Sequence, residues 1–161
     1  HGDLLEGRYN PAGSQSATHG YSAGGRSGST NKSEIDKFAF ASVATAVDHG
    51  DLTLARYGAA SSSSSTHGYT AGGDGSSDNV IDRFAFASAG NATDVGDLSE
   101  AKASSAGVSG STKGYISGAY QATSGSAGQG RIDEFAHASS VNATNVATLF
   151  DPRGYSTGTQ Y

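Results

Sequence analysis

The sequence predicts an all-β protein of three four-stranded units, and two observations carry that prediction. The first is repetition. Ile35-Asp36-Lys37-Phe38-Ala39-Phe40-Ala41-Ser42 returns as Ile81-Asp82-Arg83-Phe84-Ala85-Phe86-Ala87-Ser88 and again as Ile132-Asp133-Glu134-Phe135-Ala136-His137-Ala138-Ser139. Thr18-His19-Gly20-Tyr21 recurs as Thr66-His67-Gly68-Tyr69 and Thr112-Lys113-Gly114-Tyr115. Leu4 with Arg8 recurs as Leu52 with Arg56, Leu98 with Lys102 and Leu149 with Arg153. The period is roughly 48 residues, within the range of propellers, solenoids and arrays. The second observation is composition. Only 35% of residues are apolar and 24 of 161 are Gly, with no Trp, Met or Cys. Too few long apolar side chains remain for a broad helical core, whereas thin layers of short strands need few. Ser/Gly-rich chains of this kind often stay unfolded. Aromatic and β-branched residues at fixed repeat positions argue against that here.

The middle repeat shows the expected elements in order. Arg56-Tyr57-Gly58-Ala59-Ala60 leads into Ser61 to Ser65, the first strand. Thr66-His67-Gly68-Tyr69-Thr70-Ala71 is the second, stopped by Gly72-Gly73, where at least one residue should have φ > 0. Asp74 to Asn79 reads as a polar loop. Val80 to Ala87 is the best strand of the chain. A regular pleat sends Ile81, Arg83, Ala85 and Ala87 to one face and Asp82, Phe84 and Phe86 to the other. Neither face is cleanly apolar, as expected of a strand covered on both sides or carrying a bulge. Gly90-Asn91 makes the next turn, Ala92-Thr93-Asp94-Val95 is a weak fourth strand, and Gly96-Asp97-Leu98 leads onward. No segment carries the apolar stripe of 3.6 period that a helical repeat requires.

The units are placed at about 8–55, 56–101 and 102–152, one repeat domain over 1–161. Residues 153–161 start a fourth unit or form a closing strand. Expected structural positions are Tyr21, Gly24, Gly25, Ile35 and Phe38, then Tyr69, Gly72, Gly73, Ile81 and Phe84, then Tyr115, Ile132 and Phe135. Phe38, Phe84 and Phe135 should fill equivalent buried sites. Three units are fewer than the four to eight of a closed ring. A propeller completed by oligomerisation is therefore expected, with the C-terminal segment completing a sheet begun elsewhere. The chain lacks Met at position 1 and opens in mid-repeat at Gly2-Asp3-Leu4. It reads as processed, as a piece, or as starting after a leader.

These residues carry a resemblance. A basic residue, a strand ending in aromatic-x-x-Gly-Gly, a polar loop and a strand bearing Phe resemble the kelch propeller repeat. The matching residues are Arg8, Tyr21, Gly24-Gly25 and Phe38, then Arg56, Tyr69, Gly72-Gly73 and Phe84, then Lys102, Tyr115 and Phe135, with the Gly pair replaced by Gly118-Ala119. The kelch Trp has no counterpart; Val47, Val95 and Val146 stand nearest its place. The wording of THGYTAGG and NATDVGDL is similar to repeats in virion and tail-associated proteins of tailed phages. The resemblance implies a β-propeller in a virion or extracellular setting.

Candidate chemistry is sparse. His19 and His67 share a repeat position and, with Tyr57, are the candidate ligand-facing residues. Lys113 at the third copy breaks the set a metal would need. Asp36, Asp82 and Asp133 read as structural acceptors inside a strand, since a catalytic carboxylate pair must flank one bond. Asp48-His49-Gly50-Asp51 and Asp94-Val95-Gly96-Asp97 read as turns, lacking the full calcium-loop pattern. Gly24-Gly25-Arg26-Ser27-Gly28 lacks the Lys-Ser/Thr ending of a phosphate loop. The absence of Cys sets aside the Cys-linked Tyr of kelch-related copper-radical oxidases. No nucleophile–base–orienter set is apparent, so no enzymatic activity and no cofactor are expected. The charge of −5 is scattered, with no basic cluster for nucleic acid. No apolar run is long enough to span a membrane. The expected role is a non-enzymatic structural or assembly protein that is a homo-oligomer or joins other virion or surface proteins. The alternative is a glycan- or protein-binding propeller module, lectin-like or receptor-binding in a tail fibre, with exposed Tyr residues such as Tyr9, Tyr57, Tyr120 and Tyr161 stacking on sugars.

Overall fold

The computed structural model describes residues 2–74, 79–118, 130–151, 154–155 and 158. The first unit holds β1 (Ala12–Gln15), β2 (His19–Ala23), β3 (Arg26–Ser27), β4 (Thr30–Asn31), β5 (Glu34–Ala39) and β6 (Val47–Asp51). The second holds β7 (Ala60–Ser63), β8 (His67–Ala71), β9 (Val80–Ala85) and β10 (Thr93–Asp97). The third holds β11 (Ala106–Ser109), β12 (Lys113–Ser117), β13 (Arg131–Ala136) and β14 (Thr144–Thr148). Three four-stranded antiparallel meanders result: β1-β2-β5-β6, β7-β8-β9-β10 and β11-β12-β13-β14. The short hairpin β3-β4 makes a fourth sheet of two strands, inside a segment whose counterpart in the middle repeat reads as loop. The chain is thus all-β, and its four-stranded sheets fit a propeller-like arrangement. β7 contacts both β1 and β11, so the first strands of the units adjoin in order at the inner side.

Turn chemistry explains the meander. Ser16 Oγ accepts from the His19 amide, and Ser64 Oγ from that of His67, which closes the β1-β2 and β7-β8 turns. At the Gly pairs the chain is left-handed, with φ 66° at Gly72 and 111° at Gly73, and 63° and 104° at Gly24 and Gly25. The pair also reaches the next unit: Gly25 N–H donates to Arg56 O at 2.9 Å and Gly73 N–H to Lys102 O at 2.7 Å. Gly118 is left-handed as well, while Ala119 lies outside the described residues. The bulge in the outer strands is present in each unit, opposite Ile35/Asp36, between Asp94 and Gly96, and at Ile132/Asp133.

Alternation on the third strand decides which unit meets which. Phe84 and Phe86 cluster with Tyr21, Ile35, Leu52 and Ala92, between the first and second units. Ile81 faces the other way, into a cluster with Tyr69, Val95, Leu98, Ile116, Phe135 and Ala143 between the second and third. Each sheet is therefore built to be covered on both faces. The Phe ring lies over the Gly of the neighbouring strand. A Cβ at Gly20, Gly68 or Gly114 would strike the ring of Phe38, Phe84 or Phe135. Tyr rings then close the junctions. Tyr21 stacks on Phe86 at 4.7 Å and its hydroxyl donates to Phe86 O; Tyr69 stacks on His137 at 4.8 Å and donates to His137 O.

Four expectations need correcting. Asp48-His49-Gly50-Asp51 and Asp94-Val95-Gly96-Asp97, read as turns, lie within the outer strands β6 and β10, where the Asp48 and Asp94 side chains accept from the Gly50 and Gly96 amides at the bulge. Phe38, Phe84 and Phe135 are equivalent in the strand but not in burial. Phe84 and Phe135 are buried, whereas Phe38 is 39% exposed. The cause is position, because the first unit has no preceding Tyr to cover its ring. At the far end Tyr115 and Ile132 are half-buried where Tyr21, Tyr69, Ile35 and Ile81 are buried, since no following Phe covers them. Finally, Val47 does not share a repeat position with Val95. The ladder places His49 there: Gly50 and Gly96 each pair with the strand Ile, so His49, Val95 and Val146 precede equivalent sites.

Candidate functional site

The repeated basic and acidic residues form one device in each unit. Arg8 Nη2 lies 2.8 Å from Asp36 Oδ2, and Arg56 Nη2 lies 2.8 Å from Asp82 Oδ2. Lys102 Nζ lies 3.6 Å from Asp133 Oδ2. All six side chains are at most 1% exposed. Each carboxylate also accepts from the segment that leads into its unit. Leu5 N–H donates to Asp36, Thr53 N–H and Oγ1–H to Asp82, and Ser99 N–H and Oγ–H to Asp133. The cation completes the set by donating to a strand carbonyl: Arg8 to Ser22, Arg56 to Thr70 and Lys102 to Arg131. Burial works against the Arg56 and Lys102 charges, while Asp82 and Asp133 work for them. These groups are paired within the protein and out of reach of solvent, with Arg8 Nε, Asp36 Oδ1, Arg56 Nε and Arg56 Nη1 buried without a hydrogen-bond partner. They pin linker to sheet.

The candidate ligand-facing residues are also engaged. His19 and His67 are half-buried, and their Nδ1 atoms lie 2.8 Å from the hydroxyls of Thr18 and Thr66. Burial pushes both imidazoles below their ordinary value, assisted by Lys37 and His49 for His19 and by Arg83 for His67. Among the described residues no group of three or more metal-ligating side chains converges. Tyr57 hydroxyl donates to Asp74 Oδ2 at 2.6 Å, its ring carries the Arg26 guanidinium at 5.1 Å, and Tyr9 meets it edge-on. The Asp74 carboxylate raises the phenol's pKa. Tyr57 is thus held inside the first-to-second junction. Tyr120 and Tyr161, candidates for sugar stacking, lie outside the described residues, as does Arg153.

Sequence reasoning singled out neither His49 nor His137. His49 is buried against Tyr21 and Phe84 and donates from Nε2 to Ala85 O at 2.7 Å. His137 takes the place of Phe86 in the third unit, with Nε2 3.1 Å from Ser62 Oγ and its pKa lowered by burial. The substitution of His for Phe within an otherwise constant phrase was the signal for His137.

Two concave surfaces among the described residues bear on function. One, of about 520 Å³, runs along the inner strands and is lined by Ser14, Gln15, Phe40, Ser61, Ser105 and Gly158, among others. The second, of about 510 Å³, lies on the free face of the first unit, between Gly2, Leu4, Phe38, Phe40, Ala44 and Ala46. It occupies the place that Tyr21 and Tyr69 fill in the two internal junctions. Phe40 is 47% exposed there. The opposite end of the arc carries Tyr115, Ile132 and Leu149, all half-buried, and Val146, 49% exposed.

The architecture defines a class, an all-β protein of propeller-like four-stranded repeats. Among solved structures, the chain is similar to one described as the structure of YjhT, with a TM-score of 0.72 and 11% sequence identity. The match covers 91% of this chain and 54% of that one, so the chain spans about half the length of the protein it matches. At this identity the likeness concerns fold alone. No protein-family model and no curated protein matches the sequence.

Proposed function

We propose that the chain is a non-enzymatic building block, a kelch-like propeller arc that serves in the assembly of a virion or an extracellular surface. The observation that carries this reading is the pair of unsatisfied end faces. The first unit exposes Phe38 and Phe40, and the last exposes Val146, in rows that are buried wherever two units meet. Soluble chains rarely leave such apolar rows uncovered unless something docks there. The repeated charges support the same reading, because they are spent on internal pinning. Purified particles or surface layers from cells producing the chain should contain it in a fixed ratio to the other components by quantitative mass spectrometry. Recovery of the chain wholly in the soluble cytosol would refute this role.

The groove along the inner strands favours one alternative, a glycan-binding module. Its Ser14 and Ser105 hydroxyls and Gln15 amide beside the Phe40 ring suit sugar hydroxyls and a sugar face. A glycan array decides that reading; no signal above background would discard it.

A further inference from the structure

The two free faces of the arc match each other. At the first internal junction, the preceding unit gives Tyr21, Ile35, Leu52 and His49, and the following unit gives Phe84, Phe86 and Ala92. At the second, Tyr69, Ile81, Leu98 and Val95 meet Phe135, His137 and Ala143. The free face of the third unit offers Tyr115, Ile132 and Val146, the counterparts of Tyr21, Ile35 and His49, while the place of Leu52 is already held on the first unit by its own Leu4. The free face of the first unit offers Phe38, Phe40 and Ala46, the complete following set, around a cleft where the Tyr ring is missing. Building on the assembly role proposed above, we infer that this cleft is a docking site for Tyr115 of a second copy of the chain. Two such junctions related by a two-fold axis join three units from each chain into a ring of six, within the usual range for closed propellers.

The intramolecular junctions fix the geometry of the contact. Tyr115 stacks on Phe40 as Tyr21 does on Phe86, and its hydroxyl donates to Phe40 O. Within the isolated chain that phenol is held instead by Glu134, whose carboxylate raises its pKa. The chain ends adjust to the junction because they duplicate each other. Ala46 N–H donates to Asp3 O as Ala92 does to Asp51 O and Ala143 to Asp97 O, so residues 2–5 sit where a preceding outer strand would end. Residues 147–150 hold that place in the third unit. A Cβ at Gly2 would strike the backbone at Ala44 and Thr45, and the corresponding residue of the third unit is Ala147. The receiving copy therefore keeps its own residues 2–5, and the incoming chain yields from Ala147 onward. The tail yields with it: Tyr155 N–H donates to Ser104 O, and Gly158 abuts Gly107 O, on the surface that the partner's β1 takes in the ring.

Sedimentation velocity on the full chain, and on a chain ending at Arg153, tests this from low to high micromolar concentration. The expected result is a monomer–dimer equilibrium reaching twice 16.1 kDa, and tighter association without the tail. Phe40→Ser and Val146→Glu, on opposite faces, should each weaken association about tenfold or more, as loss of a junction anchor does. Circular dichroism should leave the fold of Val146→Glu unchanged. The chain has no Cys, so Phe40→Cys and Tyr115→Cys chains provide a direct test of pairing. Mixed and oxidised, they should cross-link to each other in preference to themselves. Monomers at all concentrations with and without the tail would overturn the inference, as would a dimer indifferent to both face substitutions or equal self-cross-linking of Phe40→Cys. A monomer would leave the assembly role open to a different partner, whereas absence from particles would refute that role and leave the dimer standing.

Discussion

Phe38, Phe84 and Phe135 stand at one repeat position, so the same truncation can be made three times against different neighbours. Phe84 and Phe135 are 2% and 3% exposed, each capped by the Tyr of the unit before it. Removing a ring from such a site forfeits its transfer free energy and leaves a cavity, about 3–5 kcal/mol in all. Phe38 lies over its Gly in the same way but is 39% exposed, and the space it vacates opens directly to water. No closed cavity forms, and only about six-tenths of the ~1.5–3 kcal/mol for burying a large apolar side chain is at stake, roughly 1–2 kcal/mol. Urea unfolding followed by circular dichroism at low concentration measures the difference. With a slope of about 2 kcal/mol/M, Phe84→Ala and Phe135→Ala should lower the midpoint by about 1.5–2.5 M and Phe38→Ala by about 1 M or less. Equal losses at all three positions would refute the claim that burial here comes from the neighbouring unit. At concentrations where the proposed dimer would form, the Phe38→Ala penalty should grow toward that of Phe84→Ala.

Three further outcomes are expected. Asp82→Ala leaves the buried Arg56 guanidinium and two Thr53 donors without their acceptor, and should cost about 3–5 kcal/mol in urea unfolding. The Arg56→Met/Asp82→Leu pair should recover part of that loss, and a double variant as unstable as the two single losses summed would contradict the coupling. Gly96 has φ 144° and a Cβ there would lie 2.6 Å from Val141 O, so Gly96→Ala should lower the melting temperature clearly, whereas Gly13→Ala, with open space around it, should leave it nearly unchanged. His137 is neutral in the fold because burial lowers its pKa below the ordinary 6.5. The unfolded chain therefore takes up a proton first as pH falls past that value, and stability present above it declines. His137→Phe, which restores the residue found at Phe86, should lessen the decline between pH 7 and pH 5; an unchanged pH profile would rule out His137 as its source.

The strands were legible because each rests on a local signal, and the repeats tripled that signal. Tyr21-x-x-Gly24-Gly25 and its copies marked where a strand must turn left-handed, and both Gly residues of each described pair do so. The pleat of Val80 to Ala87 put Phe84 and Ile81 on opposite faces, which is how they divide between the two junctions. The exposure of Phe38 was illegible from its own repeat, because burial is a property of the unit that precedes it. The pairing of Arg8 with Asp36, and of Arg56 with Asp82, joins residues 26 to 28 positions apart. Their joint recurrence hinted at it, but contact across a meander depends on sheet order. Val47 was matched to Val95 by residue type, but the site is held by His49, two residues on, because all three units carry the same bulge and keep the same register.

At the start of each unit one residue adopts φ between 52° and 65°: Asn10, Gly58, Ser104, and Tyr155 in the tail. Their amides pass hydrogen bonds along the arc, from Gly58 to Asn10, from Ser104 to Gly58 and from Tyr155 to Ser104. Each link belongs to one junction, so each amide proton is a private gauge of it. Exchange at Gly58 reports parting of the first and second units, at Ser104 the second and third, and at Tyr155 the tail. A repeat protein can come apart locally at free energies well below its global value. In this chain the order of that disassembly can be read from three protons.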